Sequence, residues 1–353
     1  MKINTHLPKC FSMVMFTGLL VLVVCLPPAF GEKPQKDVKY EAGFYYTVKK
    51  GDTLWDISQR FDDTPWVWPE LWKDNAQLPN PHWIYPGQRI RLFRKSDMQR
   101  YQEQMKAPKA ETPQVQATVA PAETELDVNF YYGRMDRIGF IRKPAVEPSG
   151  NIFNILDDKN LVSAGDIVYI QGPSGGSGME FAPGQRFTVY RIRKPTDDRH
   201  SEKTIGSQHY LLGVVEVTQN ETKYAIAKVI EAFRAIKPGD LLMQYRMRPP
   251  EVTVTDSAPD LQGSIICTEE HDNLIGSNVV AFIDKGADDN VRNGQQYTIY
   301  YQKTAQGGDG QSLELAPVDV GSLMVLHTEK TTATVFITSA RGKISPGYRI
   351  KTP

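Results

Sequence analysis

The chain has 353 residues, with 41 basic and 41 acidic side chains and a formal net charge of zero. Neutrality argues against a nucleic-acid binder, which carries a basic excess or stripe. A hydrophobic fraction of 40% excludes a wholly disordered chain, and three Cys are too few for a disulfide scaffold. At about 150 residues per domain the length suits two or three domains. All five Trp lie between Trp55 and Trp83, so the aromatic content is concentrated in one short segment.

The first element is a targeting segment. Lys2 and Lys9 precede an uncharged apolar stretch from Phe11 to Leu26, Pro27-Pro28 breaks it, and Ala29-Phe30-Gly31 offers small residues at the two positions a signal peptidase reads. Residues 1–31 are expected to be a signal peptide cleaved before Glu32, which makes the protein exported, to the periplasm or cell envelope. An uncleaved membrane anchor is the competing reading, since about 20 apolar residues just span a bilayer. Cleavage would shift the formal charge to −2 and leave Cys267 as the one cysteine. Cys267 sits in the apolar run Ile265-Ile266-Cys267 and reads as a buried core thiol.

The next module runs from 44 to 93. Tyr45 to Val48 reads as a short strand and Gly51-Asp52 as a turn. Thr53-x-x-Asp56 is a capping box for a helix whose Leu54, Ile57 and Phe61 share one face. Thr64-Pro65 opens a second helical element with Trp66, Trp68, Leu71 and Trp72, in which Pro69 is tolerated only within the first turn. Pro79-Asn80-Pro81 ends it. Pro86-Gly87 signals a type II turn into the strand Gln88 to Leu92. The order is strand, helix, helix, strand.

Three strings in this module resemble the LysM family: Tyr46-x-Val48-x-x-Gly51-Asp52-Thr53-Leu54-Trp55-x-Ile57-Ser58, Leu71-Trp72-x-x-Asn75, and Asn80-Pro81-x-x-Ile84-Tyr85-Pro86-Gly87-Gln88-x-Ile90. They fall in the family's order and spacing, although Pro65-Trp66-Val67-Trp68-Pro69 is more aromatic than the family pattern. The resemblance implies a small α+β (βααβ) fold that binds N-acetylglucosamine glycans, peptidoglycan or chitin, in a shallow groove between two loops. Carried over by motif, one wall is Gly51, Asp52, Thr53 and Leu54, and the other is Asn80, Ile84 and Tyr85. Trp83, beside the second wall, is the aromatic candidate for stacking on sugar. Each has a plainer reading: Gly51 as a turn, Asp52 as a cap, Leu54 and Ile84 as core, and Trp55 as packing against Trp66 or Trp68.

Residues 94–127 read as a flexible linker, because Ala110 to Glu125 is Ala, Thr, Glu, Gln and Pro with almost no large apolar residue. From 128 onwards short Val/Ile/Tyr/Phe runs alternate with Gly, Pro and Asn/Asp clusters, the pattern of an all-β region. It repeats internally. Gly184-Gln-Arg-Phe-Thr-Val-Tyr190 recurs as Gly294-Gln-Gln-Tyr-Thr-Ile-Tyr300, and Gly213 to Gly239 matches Gly321 to Gly347, each ending in Ile-x-Pro-Gly. Upstream, Asp166-Ile-Val-Tyr-Ile170 aligns with Asn278-Val-Val-Ala-Phe282. Two copies point to two tandem related β domains, 128–248 and 262–353, rather than a solenoid. The shared residues are Gly, Pro and apolar. No polar cluster is shared, which suits a scaffold or a surface for an envelope protein partner better than a duplicated catalytic site.

No H-E-x-x-H or C-x-x-C occurs, so no metal, cofactor or catalytic residue is expected. Cys267 with His271 or His327 is the conceivable nucleophile pair. Asp284, Asp288 and Asp289 lack Ca²⁺-loop spacing, and the glycine run Gly172 to Gly178 lacks the Lys-Ser/Thr ending of a phosphate loop. The sequence therefore predicts a non-enzymatic envelope protein with peptidoglycan as its partner. The alternatives are a LysM-targeted cell-wall hydrolase and a component of a flagellar, pilus or secretion assembly.

Overall fold

The computed structural model describes residues 40–62, 64–92, 128–159, 162–173, 181–195, 205–306 and 311–353. Residues 1–31, expected as a signal peptide, residues 94–127, expected as a linker, and most of the Gly172 to Gly178 run lie outside them. Tyr40–Pro353 forms one compact unit. No helix among the described residues is long and apolar enough to cross a membrane.

The first module contains β1 (Gly43–Thr47), α1 (Leu54–Phe61), a 3-10 turn (Pro65–Val67), α2 (Trp68–Lys73) and β2 (Arg89–Arg91). The capping box forms: the Thr53 hydroxyl accepts from the Asp56 amide at 3.1 Å, and the Asp56 carboxylate accepts from the Thr53 amide at 3.2 Å. Leu54, Ile57 and Phe61 are buried with Tyr46, Leu71 and Ile90. Pro69 sits in the first turn of α2, where its missing N–H costs nothing. The buried Asn75 ties α2 to β2. Its amide donates to the carbonyls of Leu71 and Arg91 at 2.7 and 2.9 Å, and its carbonyl accepts from the Arg91 amide at 2.7 Å. The outer edge of β2 is thereby hydrogen-bonded rather than open to a further strand.

The rest is β structure: β3 (Val128–Tyr131), β4 (Phe140–Arg142), β5 (Gly150–Ile155), β6 (Ile167–Gln171), β7 (Arg186–Arg193), β8 (Ser207–Asn220), β9 (Ala225–Ala232), β10 (Leu241–Gln244), β11 (Glu251–Thr253), β12 (Gln262–Thr268), β13 (Val280–Ile283), β14 (Gln296–Tyr301), β15 (Thr304–Gln306), β16 (Ser312–Glu314), β17 (Val318–Thr328), β18 (Ala333–Ala340) and β19 (Arg349–Lys351). Two six-stranded barrels result. The first runs β5-β6-β9-β8-β7-β10 and carries β4 outside on β8. The second runs β12-β13-β18-β17-β14-β19. The cyclic order is the same, strand for strand.

The shared glycines have a physical reason. A β-carbon at Gly213 would collide with the Glu231 carbonyl and lie 3.0 Å from Ile236 Cδ1. At Gly321 it would collide with the Ser339 carbonyl and lie 3.1 Å from Ile344 Cδ1. Both sit where β7–β8 and β14–β17 break register, so the bulge and the glycine go together. The upstream alignment is corrected by one residue. Gly165 and Asn278 occupy equivalent turns, each with positive φ and an amide donating across to β9 or β18, so Gly165 rather than Asp166 matches Asn278. Asn is among the few residues besides Gly that enter this region readily, and this is why the two residue types interchange there.

The first module is not held by chain connection alone. β3 pairs antiparallel with β1, and β11 pairs with β3, giving a four-stranded sheet β11-β3-β1-β2. Phe44, Phe130 and Val252 on its inner face pack on Met324, Leu326 and Phe336 of the second barrel. Phe130 lies between Phe44 and Phe336, at ring separations of 5.2 and 5.7 Å.

The barrels meet through β4. Arg142 forks onto Glu329 at 2.7 and 2.9 Å, the Gly139 amide donates to Glu269 at 2.6 Å, and Arg234 reaches Glu269 at 3.0 Å. His209, fully buried, stacks on Phe140 at 4.5 Å, and its Nε2 accepts from the Val146 amide at 3.0 Å. That bond requires the neutral ring protonated on Nδ1, and burial holds the His209 pKa below its usual value. The unfolded chain takes up a proton near pH 6.5 that the folded chain resists. Stability from this group is therefore complete above about pH 6.5 and falls by up to about 1.4 kcal/mol per pH unit below it. Urea midpoints followed by circular dichroism between pH 7.5 and 5.5 should fall, and His209→Gln should reduce the slope, the remainder belonging to His327, whose pKa burial also lowers. A wild-type midpoint independent of pH would count against this account.

Candidate functional site

The first wall follows β1. Gly51 takes φ +96°, so the turn needs glycine. Asp52 does not cap α1, which is the work of Thr53. Its carboxylate instead accepts from the Tyr46 hydroxyl at 2.6 Å and the Lys49 amide at 2.7 Å, with Arg60 at 3.7 Å. Burial, reinforced by Asp52, pushes the Tyr46 hydroxyl up to about 12, so it stays a neutral donor. Leu54 is buried in the module core. The first wall is thus a braced backbone frame: the side chains of Asp52, Thr53 and Leu54 point to internal partners, and what the loop offers outward is its peptide groups.

The second wall is built differently. The Asn80 side chain accepts from the His82 amide at 2.9 Å, and its carbonyl accepts from the Trp83 amide at 3.2 Å, an Asx-turn. Ile84 is half-buried against the core. Tyr85 starts the Pro86-Gly87 turn, where Gly87 has φ +87° and the Gln88 amide donates to the Tyr85 carbonyl at 3.0 Å. Gly87 and Gln88 also bond Val48 at 2.9 and 2.8 Å, which joins this turn to the end of β1 beside the first wall. With the loop so braced, Trp83 and Tyr85 are left 64% and 59% exposed. Large aromatic surfaces held in water on a fixed loop are the feature that suits stacking on a sugar face.

A third aromatic feature was not anticipated as exposed. Trp66 is 75% exposed and meets Trp55 edge-on at 4.9 Å. The contact with Trp55 follows from sequence, but the outward position does not follow from composition. The usable signal was spacing: Trp68, Leu71 and Trp72 share the inward face of α2, and Trp66 falls off it.

The family comparison agrees with this geometry. The family model described as "LysM domain" matches residues 46–93. Residues 46–93 form a LysM domain. A protein of Bacillus subtilis (strain 168), "Uncharacterized protein YqbP", is 40% identical over 57 residues, covering 13% of this chain and 26% of that protein. The chain therefore spans about a quarter of the relative it matches. LysM domains bind N-acetylglucosamine glycans such as peptidoglycan, so carbohydrate binding in a cell-envelope setting belongs to this module. The LysM module itself is a binding domain and not a catalytic one.

Beyond the LysM module, Cys267 is buried, and burial pushes its thiol up to about 12. That is the reverse of the lowered pKa an attacking thiolate needs. His271 is engaged with Gln208 at 2.5 Å. Asp284 accepts from the Ser264 amide at 2.6 Å, and Asp289 binds Lys285 at 2.9 Å and the Gly286 amide at 3.2 Å. These acids close turns.

Proposed function

We propose that the chain is a non-enzymatic, exported envelope protein that docks on peptidoglycan glycan strands through the LysM loops, while its two barrels form a scaffold for an envelope protein partner. The observation that carries the glycan reading is the exposure of Trp83 and Tyr85 on a loop braced by hydrogen bonds at Asn80, Tyr85 and Val48. Loop peptide groups of Gly51 to Leu54 and Asn80 to Tyr85 would bond the acetamido group, and Trp83 and Tyr85 would cover the sugar faces. Against a hydrolase reading stands the raised Cys267 thiol. For a scaffold stands the identity of the residues the barrels share, which set turns and core.

The test is co-sedimentation of the chain from Glu32 onwards with purified peptidoglycan sacculi. Trp83→Ala and Tyr85→Ala should each weaken binding by about tenfold, as loss of an aromatic anchor does, with the fold intact because both rings face water. Thr53 is unsuitable for this purpose, since its loss removes the α1 cap at about 1 kcal/mol. Unchanged pelleting of the Trp83/Tyr85 double variant would sink the proposal.

A further inference from the structure

We propose that copies of this chain associate head to tail, with the protruding β14–β17 arm of one second barrel seated on the outer face of β5, β6 and β9 in the first barrel of the next copy. The basis is the inequality of two equivalent faces. In the second barrel, Ile266, Phe282 and Thr332 lie on β12, β13 and the turn before β18, and all are buried. What covers them is the first barrel: Ile141 and Ile205 pack on Ile266 and Phe282, and the Thr332 hydroxyl donates to the Ile141 carbonyl at 2.6 Å. Strand registers make Phe153, Tyr169 and Tyr224 the counterparts in the first barrel. These three rings form an aromatic cluster, at 5.8 to 6.2 Å between centroids, and Phe153 and Tyr224 are exposed.

Tolerance of stray surface hydrophobics does not explain the cluster. The second barrel has another covered face, where Met324, Leu326 and Phe336 meet the four-stranded sheet. Their counterparts in the first barrel, which carries no such sheet among the described residues, are Glu216, Thr218 and Lys228. The sequence is polar where the first barrel lacks a cover, and aromatic on the one face equivalent to the inter-barrel joint. Contiguous exposed apolar surface of this kind marks an interaction site.

The same equivalence selects the occupant. Within the chain the joint is made partly by the β7–β8 extension: Ile205 packs there, and Arg193 approaches Glu270 at 4.0 Å. In the second barrel the corresponding extension is β15–β16 and its flanks, where Leu313, Leu315 and Val318 are exposed and, among the described residues, no strand corresponding to β4 overlies it. By alignment Leu313 matches Ile205, Lys303 matches Arg193, and Asp157 on the open face matches Glu270, so the charges are complementary across the proposed joint. β11, which precedes β12 as β4 precedes β5, is already taken by the LysM sheet, leaving the arm to dock. Such an interface is heterologous: each copy presents one donor and one acceptor surface.

The test uses the chain from Glu32 onwards, which retains the whole compact unit, in sedimentation-velocity runs over a concentration series. Wild type should form dimers and longer species. Phe153→Asp should weaken association about tenfold or more, and so should Leu313→Asp. Both positions are exposed, so both variants should keep the wild-type circular dichroism. An equimolar mixture of the two variants should regain dimers but nothing longer, because one intact donor and one intact acceptor remain. A monomeric wild type at every concentration overturns the proposal. So does loss of association in Phe153→Asp alone. A monomeric protein whose binding to sacculi drops with Phe153→Asp would make the cluster a sugar platform and overturn it as well. The sedimentation-velocity readings do not depend on the glycan proposal, which is scored by Trp83 and Tyr85.

Discussion

Phe130→Ala should detach the LysM module from the second barrel at a cost of about 3–5 kcal/mol, the range for emptying a buried aromatic site. Phe130 is 1% exposed and stands in β3, paired with Phe44 of β1 on one side and Val252 of β11 on the other. Its ring joins the module sheet to Phe336 at 5.7 Å, beside Tyr132, which meets Phe336 at 5.1 Å. The distribution of Trp makes the outcome readable. All five Trp belong to the segment from Trp55 to Trp83, so tryptophan fluorescence reports that module, whereas circular dichroism is dominated by the barrels. In wild type the two urea transitions should coincide, because the module shares a sheet and a core with the barrel. In Phe130→Ala the fluorescence midpoint should drop first and separate from the other. Coincident, unshifted transitions would mean that the shared sheet does not couple the two parts.

Gly321→Val should destabilise the second barrel by about 3 kcal/mol or more, since a backbone carbonyl cannot step aside as a side chain does. The new side chain would meet the Ser339 carbonyl and Ile344. To admit it, β17 and β18 would have to separate at the end of their pairing where Gly321 stands opposite Ala340 and Ser322 opposite Ser339. Gly213→Val should do the same to the first barrel through Glu231 and Ile236. Gly276→Ala is the control: nothing lies within 4 Å of its would-be β-carbon, and the change should stay within about 0.5 kcal/mol. Thermal unfolding of the three variants checks the set. Equal effects at Gly276 and Gly321 would show that lost glycine flexibility, rather than the close strand approach, explains the shared residues.

Local rules made much of this legible. Thr53 and Asp56 announced the start of α1, the Leu54/Ile57/Phe61 spacing announced its buried face, and Pro86-Gly87 announced the turn into β2. All three depend on residues within a few positions of each other. The duplication was legible for the same reason, because glycine and proline punctuate turns in place. The one-residue slip at Asp166 arose where the equivalent turn residues are Gly165 in one copy and Asn278 in the other, a chemical substitution that preserves φ but hides the identity.

The candidate glycan residues were also legible as positions, but not as orientations. Asp52 bends inward to Tyr46 and Lys49, Leu54 enters the core, and Trp83 and Tyr85 face water. Those directions depend on what each loop is packed against.

The sequence alone determined that the chain carries one LysM module rich in Trp, followed by β structure built twice from the same turns and apolar alternation. Such features are short-range and periodic, and hydrophobic spacing encodes them directly. Only the tertiary structure decided that β3 and β11, distant in sequence, complete the module's sheet, and that the second barrel buries a face which the first leaves open. Pairing between strands more than a hundred residues apart is chosen by shape and burial across the whole fold, and no local pattern in the chain carries that information.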